Sequence, residues 1–169
     1  MEVFAAIQTM LAVRDYRTDP IPDDVVHRIV EAGRLTGSSR NRQEWDFVVV
    51  RQAESLRRLG ELASTGPYIA NAQLAILVVV PDGPVGYIDG ARAAQDMMLT
   101  AWEAGIGSNW VGNVNSTQVK TLFNIPAERL VPVAIPFGYP AKRVGLGRKQ
   151  RKALPQVAHS ERFGQPMTG

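Results

Sequence analysis

The chain has 169 residues, 45% hydrophobic and 21% charged, with a formal net charge of +3, two histidines and no cysteine. This composition fits a single globular domain spanning 1–169 and excludes disorder, disulfides, thiolate metal sites and a thiol nucleophile; a zinc centre of the usual kind does not fit either. No stretch approaches the ~18 continuous apolar residues of a membrane span, and the start lacks the basic-then-apolar order of a signal peptide, so a cytoplasmic location is expected.

In chain order, Val3, Ile7, Met10 and Leu11 recur at helical spacing and predict a helix from Val3 to Val13. Arg14-Asp-Tyr-Arg17 leaves that helix, and Asp19-Pro-Ile-Pro22 breaks it. A second helix starts at Asp23 or Asp24, places Val25, Val26, Ile29 and Val30 among polar residues, and stops at Gly37. The loop Thr36 to Trp45 is small and polar, with accessible backbone N–H groups at Gly37, Ser38 and Ser39 and donors on Arg40, Asn41, Arg42 and Gln43. Such a loop suits a planar, oxygen-rich ligand; an ordinary solvated turn after a helix cap is the competing reading.

Asp46 to Val50 reads as a buried β-branched strand, and Glu54 to Leu62 as a short helix. Leu74 to Val80 is apolar throughout, the pattern of a strand covered on both faces. The longest helix is expected from Ile88 to Ala104, capped by Asp89. Its apolar residues run round much of the circumference, which suits a central or interfacial position. Ser108 to Gly112 follows as an extended segment, Asn115 to Phe123 as a helix, and Leu130 to Phe137 as a strand. Pro132 and Pro136 place that strand at an edge or an irregular position. From residue 140 on, the chain becomes a polar C-terminal arm (140–169) without periodicity. Lys142, Arg143, Arg148, Lys149, Arg151 and Lys152 form a basic run with no acid from 140 to 152. Without interleaved aromatics, this patch fits a small anion better than a nucleic acid.

Six stretches in order carry a resemblance over nearly the whole chain. They are Val13-Arg-Asp-Tyr16, Pro20-Ile-Pro22, Ser38-Ser-x-Asn-x-Gln-x-Trp45, Gly105-Ile-Gly-Ser-x-Trp110, Phe137-Gly-Tyr-Pro-Ala141 and Arg151-Lys-Ala-Leu154. Together they resemble the FMN-dependent nitroreductase family, in a short, minimal form without the usual helical insertion before the last strand. The resemblance implies an α+β fold: a mixed sheet flanked by helices in an intertwined homodimer, with two FMN molecules at the subunit interface. It implies an NAD(P)H-dependent FMN oxidoreductase working by a ping-pong cycle, passing hydride to a nitroaromatic, quinone or similar small acceptor.

The same resemblance implies roles for individual residues. Arg14 belongs to the turn that holds the FMN phosphate and ribityl chain. Two further donor positions of that turn read Met10 and Ala12 here, so FMN is expected to be held weakly, or a deazaflavin preferred. Ser38, Ser39 and Asn41 match the loop that packs on the flavin from the second subunit. Val111 and Gly112 match the segment whose backbone N–H approaches flavin N5. Lys149 and Arg151 match the basic pair that closes on the phosphate from the arm. Arg40 or Arg42 would supply positive charge near the pyrimidine end of the flavin. No side chain is expected to act as general acid, since the flavin itself carries the hydride. Tyr16 and Trp45 read as core. Two other functions remain open: a flavin-binding protein without redox turnover (storage, sensing or flavin breakdown), and a non-catalytic structural dimer.

Overall fold

The computed structural model describes residues 1–142, 144 and 149–167. Arg143 and Arg148 of the basic run lie outside the described residues. Five helices are described: α1 Val3–Thr9, α2 Asp23–Leu35, α3 Ala53–Leu62, α4 Pro84–Glu103 and α5 Thr117–Leu122. They flank four strands, β1 Asp46–Val50, β2 Leu74–Pro81, β3 Gly107–Ser108 and β4 Arg129–Gly138, in the order β1-β2-β4-β3. All three strand pairs are antiparallel. The sheet's parallel component is a single bridge, Ala12 to Ser108.

The apolar run of β2 explains the layering. Successive side chains of a strand point to opposite faces. Leu74, Ile76, Val78 and Val80 therefore join Val133, Ile135 and Phe137 of β4 under α2 and α4, with Ile29, Met97 and Trp45. Ala75, Leu77 and Val79 face the other way, onto Leu56, Leu59, Ile69, Val111, Val119 and Ala134 beneath α3 and α5. Seven consecutive residues of β2, Leu74 to Val80, are buried, as the doubly covered pattern requires.

Three expectations are corrected. First, α1 stops at Thr9 rather than Val13, and Met10 is its cap. The next residues pair with the sheet instead: Val13 N–H donates to the Ser108 carbonyl (2.9 Å), and Arg17 N–H to Tyr139 O (2.8 Å). A side chain on Gly107 would collide with Val13, at 2.4 Å from Cγ2, so a glycine is what lets this turn lie flat on β3. Second, β4 is not an edge strand. It bonds to β2 along most of its length, with a bulge between Val78 and Val80 that takes up Pro132. Pro136 is tolerated because the N–H of Ala134, two residues earlier, points away from β2 to Val111 O. Pro136 shares that orientation, so no β2 hydrogen bond is lost.

Third, α4 begins at Pro84, one turn before the expected start, with proline in its first turn. Asp89 is therefore interior to the helix and cannot be its cap. Of the central or interfacial position expected for α4, the central one is seen within the chain: Ala93, Ala94, Met97, Met98 and Ala101 are buried. Exposed apolar side chains remain in its first turns, at Val85, Tyr87 and Ile88, on α1, where Val3 and Phe4 are each 70% exposed and Ile7 47%, and at Leu154, Val157 and Phe163 of the arm. Among the described residues no helix is long and apolar enough to cross a membrane.

Candidate functional site

The expected site residues fall into three groups. The first comprises Arg14, in the turn after α1, and Lys149 and Arg151 of the arm. Arg14 is exposed, its guanidinium carbon 6.0 Å from the centre of the Tyr68 ring. Tyr68 in turn accepts a hydrogen bond from the buried Asn109 amide. Lys149 Nζ donates to the Ile7 carbonyl, one of the carbonyls left open at the end of α1. Burial and the neighbouring Arg151 charge together hold the Lys149 ammonium below the usual lysine range. Arg151 donates to the Gln150 carbonyl. Among the described residues, no carboxylate pairs with Arg14, Lys149 or Arg151. Met10 is half-buried against the main core, and Ala12 is exposed. Tyr16 is buried as expected: its hydroxyl donates to Val13 O at 2.7 Å, and burial pushes its pKa well up.

The second group is Val111 and Gly112. Val111 is fully engaged: its N–H donates to Ala134 O and its carbonyl accepts from Ala134 N–H, both at 3.0 Å. Its side chain is buried. The expectation that Val111 offers its N–H to a flavin is therefore corrected. Gly112 remains. No described residue accepts from its N–H, its carbonyl accepts from Thr65 Oγ1 (3.3 Å), and nothing lies within 4 Å of where a Cβ would stand. The backbone there is open to a ligand.

The third group is the loop after α2. Ser39 to Asn41 form one 3-10 turn, with Arg40, Asn41 and Gln43 at φ of 54°, 55° and 54°. Left-handed backbone is unfavourable for Arg and Gln and must be held by its surroundings. The Ser38 hydroxyl accepts from Gln43 N–H (2.9 Å), and Gln43 Nε2 donates to the Asn41 carbonyl and side-chain oxygens (3.2 Å each). Ser39 is tied to α4: its N–H donates to Asp89 Oδ2 (2.9 Å) and its hydroxyl to Asp89 Oδ1 (3.3 Å). Asn41, Arg40 and Arg42 are exposed; Arg42 pairs with Glu44 at 3.6 Å. Trp45 is buried core, stacked on Phe47.

The first and third groups sit at opposite ends of α4. The loop is anchored at Asp89, whereas Trp102 donates to Thr9 beside the α1 turn (3.0 Å). At 1.5 Å rise per residue, these anchors are about 20 Å apart along the helix. Asp89, read from the sequence as a helix cap, instead anchors this loop; the available signal was the spacing of Asp89, Arg92 and Asp96, three polar residues on one face of α4.

Comparison with known proteins agrees with this architecture. The model of the nitroreductase family matches residues 10–82 and 80–139. A protein of Methanothermobacter thermautotrophicus, named NADH dehydrogenase/NAD(P)H nitroreductase, is 31% identical over 156 residues, covering 86% of this chain and 81% of that protein. A protein of Archaeoglobus fulgidus with the same name is 28% identical over 172 residues, covering 96% and 99%. A solved structure from Clostridium difficile, described as an FMN-dependent nitroreductase, superposes with a TM-score of 0.85 at 22% identity, covering 95% of this chain and 99% of the other.

Proposed function

Because the chain belongs to the nitroreductase family, we propose that it is a flavin-dependent oxidoreductase that binds FMN and passes reducing equivalents from NAD(P)H to a small acceptor such as a nitroaromatic or quinone. The observation that carries the FMN reading is the Lys149 environment. A half-buried lysine beside a second cation, with only a backbone carbonyl as partner, is an unfavourable arrangement that a phosphate would relieve. The donor set fits a phosphate monoester: Arg14, Lys149 and Arg151 supply three cations from opposite ends of the sequence. It is leaner than the family pattern, since Met10 and Ala12 contribute none, so FMN retention is weak.

When bound, the flavin supplies the hydride chemistry. The protein contributes position. Gly112 N–H faces open space and is the donor for the ring's redox-active edge; Arg14, Lys149 and Arg151 hold the phosphate. Ser38, Ser39 and Asn41, carried at the far end of α4, serve the flavin of a second copy of the chain, so each site takes residues from two protomers. The separation of their anchors by roughly 20 Å along α4 supports that division. Small acceptors reach a solvent-open site, and water provides the protons.

Steady-state oxidation of NADH and NADPH by the FMN-loaded protein, with a nitroaromatic or a quinone as acceptor, tests this reading. Turnover that depends on both added FMN and acceptor is expected. FMN binding without turnover would make the chain a flavin-binding protein only, and no FMN binding at all would remove the flavin reading.

A further inference from the structure

The loop from Thr36 to Gln43 is tied to α4 by two carboxylates, Asp89 and Asp96, on a helical stripe that also carries Arg92. Asp89, Arg92 and Asp96 are spaced three and four apart, which aligns them on a single face. Asp96 accepts from the Thr36 hydroxyl. Arg92 lies against Gly37, so close that a Cβ on Gly37 would stand 2.6 Å from its Nη2. Asp89, 7% exposed, accepts both the N–H and the hydroxyl of Ser39. Each contact meets a different residue of the loop, and the last stands directly before the left-handed pair Arg40 and Asn41. A buried carboxylate would not be kept beside an apolar core without its two hydrogen bonds, and a loop with three left-handed non-glycine residues would not keep its shape without an anchor.

We infer that Asp89 is a positioning residue for cofactor binding: by holding the Ser39 N–H and hydroxyl, it fixes the loop in the strained conformation that presents Asn41 to the flavin. Asp89 touches no ligand itself. Its carboxylate orders the loop before binding, so the ordering is not charged against affinity. This inference rests on the flavin reading above.

The test uses the full-length chain and FMN as the probe, with affinity read by quenching of flavin fluorescence and stability read by thermal melting of the apoprotein. Asp89→Ala should weaken FMN binding by roughly tenfold or more. Asp89→Asn keeps an oxygen for the Ser39 N–H and should restore most of that loss, which a requirement for negative charge alone would not allow. Should Asp89→Ala fail to fold, Asp89→Leu, which fills the same space without an acceptor for Ser39, carries the test and should weaken FMN binding to a similar degree. Wild-type affinity in a folded Asp89→Ala or Asp89→Leu variant overturns the assignment while leaving the flavin reading intact. Failure of the wild-type chain to bind FMN overturns both, and is distinguished because no variant need be compared.

Discussion

Restoring the two missing donors of the phosphate turn should tighten FMN binding. The perturbation is Met10→Arg with Ala12→Ser. Ala12 is exposed, and its backbone bridges Ser108, so a hydroxyl there meets no steric barrier. Met10 caps α1 through its N–H on Ala6 O and packs half-buried against the main core. A guanidinium and a hydroxyl toward a phosphate are worth about 3 kcal/mol gross. Fixing the arginine takes back up to about 2 kcal/mol in rotamer entropy. The remainder, about 1 kcal/mol, is a roughly fivefold gain in affinity. Losing the half-buried thioether should lower stability by about 1 kcal/mol, or roughly 2–4 °C in the melt of a chain this size. FMN titration by fluorescence quenching, at low and high salt, reads the first effect, and thermal melting of the apoprotein reads the second. The gain should shrink with salt. A folded double variant that binds FMN no better than the natural chain would refute the reasoning, because the turn would then not face a phosphate.

Three further outcomes are expected. Lys149→Met should leave the apo melt unchanged or raised while weakening FMN binding. The folded pKa of Lys149 lies below its unfolded value of 10.5, so its charge disfavours the fold at neutral pH and the penalty is relieved only as pH rises toward that value; a lowered melt with unaltered binding would contradict this. Acid should destabilise the chain: Arg51, Arg34 and Arg57 hold Asp23, Glu31 and Glu54 below their unfolded values of 3.8, 4.5 and 4.5. Their stabilisation is therefore complete above about pH 4.5 and lost below it, as a melt series down through that range would reveal, with added salt reducing the effect. Sedimentation equilibrium should find a homodimer at micromolar concentration, since Val3, Phe4 and Ile7 of α1 stand exposed together; a stable folded monomer would contradict it.

Much of this fold is legible in the chain because its strongest patterns are local. The unbroken apolar run of β2 and the helical spacing of Val25, Val26, Ile29 and Val30 in α2 are read directly. Elements that tertiary pairing decides are read less well. Nothing in the Val3 to Val13 periodicity signals that the backbone of Ala12 and Val13 will leave the helix to bond Ser108. The proline rule for edge strands misplaces β4, because what matters is which way each nitrogen points, and that depends on register. The candidate site divides along the same line. Arg14, Lys149 and Arg151 are visible as cations, and Gly112 as a small residue in an open segment. Whether Val111 or Gly112 keeps a free N–H is set by the Ala134 bridge, which no local pattern encodes. Asp89 was masked by its resemblance to a helix cap, since the proline that starts α4 one turn earlier reads equally well as the end of the preceding turn.

The central claim is that this chain carries reducing equivalents on a bound flavin. An anaerobic absorbance spectrum of the purified, FMN-supplemented protein tests it most directly, recorded before NAD(P)H, after it, and again after an acceptor. The expected result is a protein-bound flavin spectrum that bleaches with NADH or NADPH and returns when a quinone or nitroaromatic is added. A protein that stays colourless after FMN is offered and the free flavin removed, or one whose bound flavin is unmoved by either nicotinamide, would contradict the account.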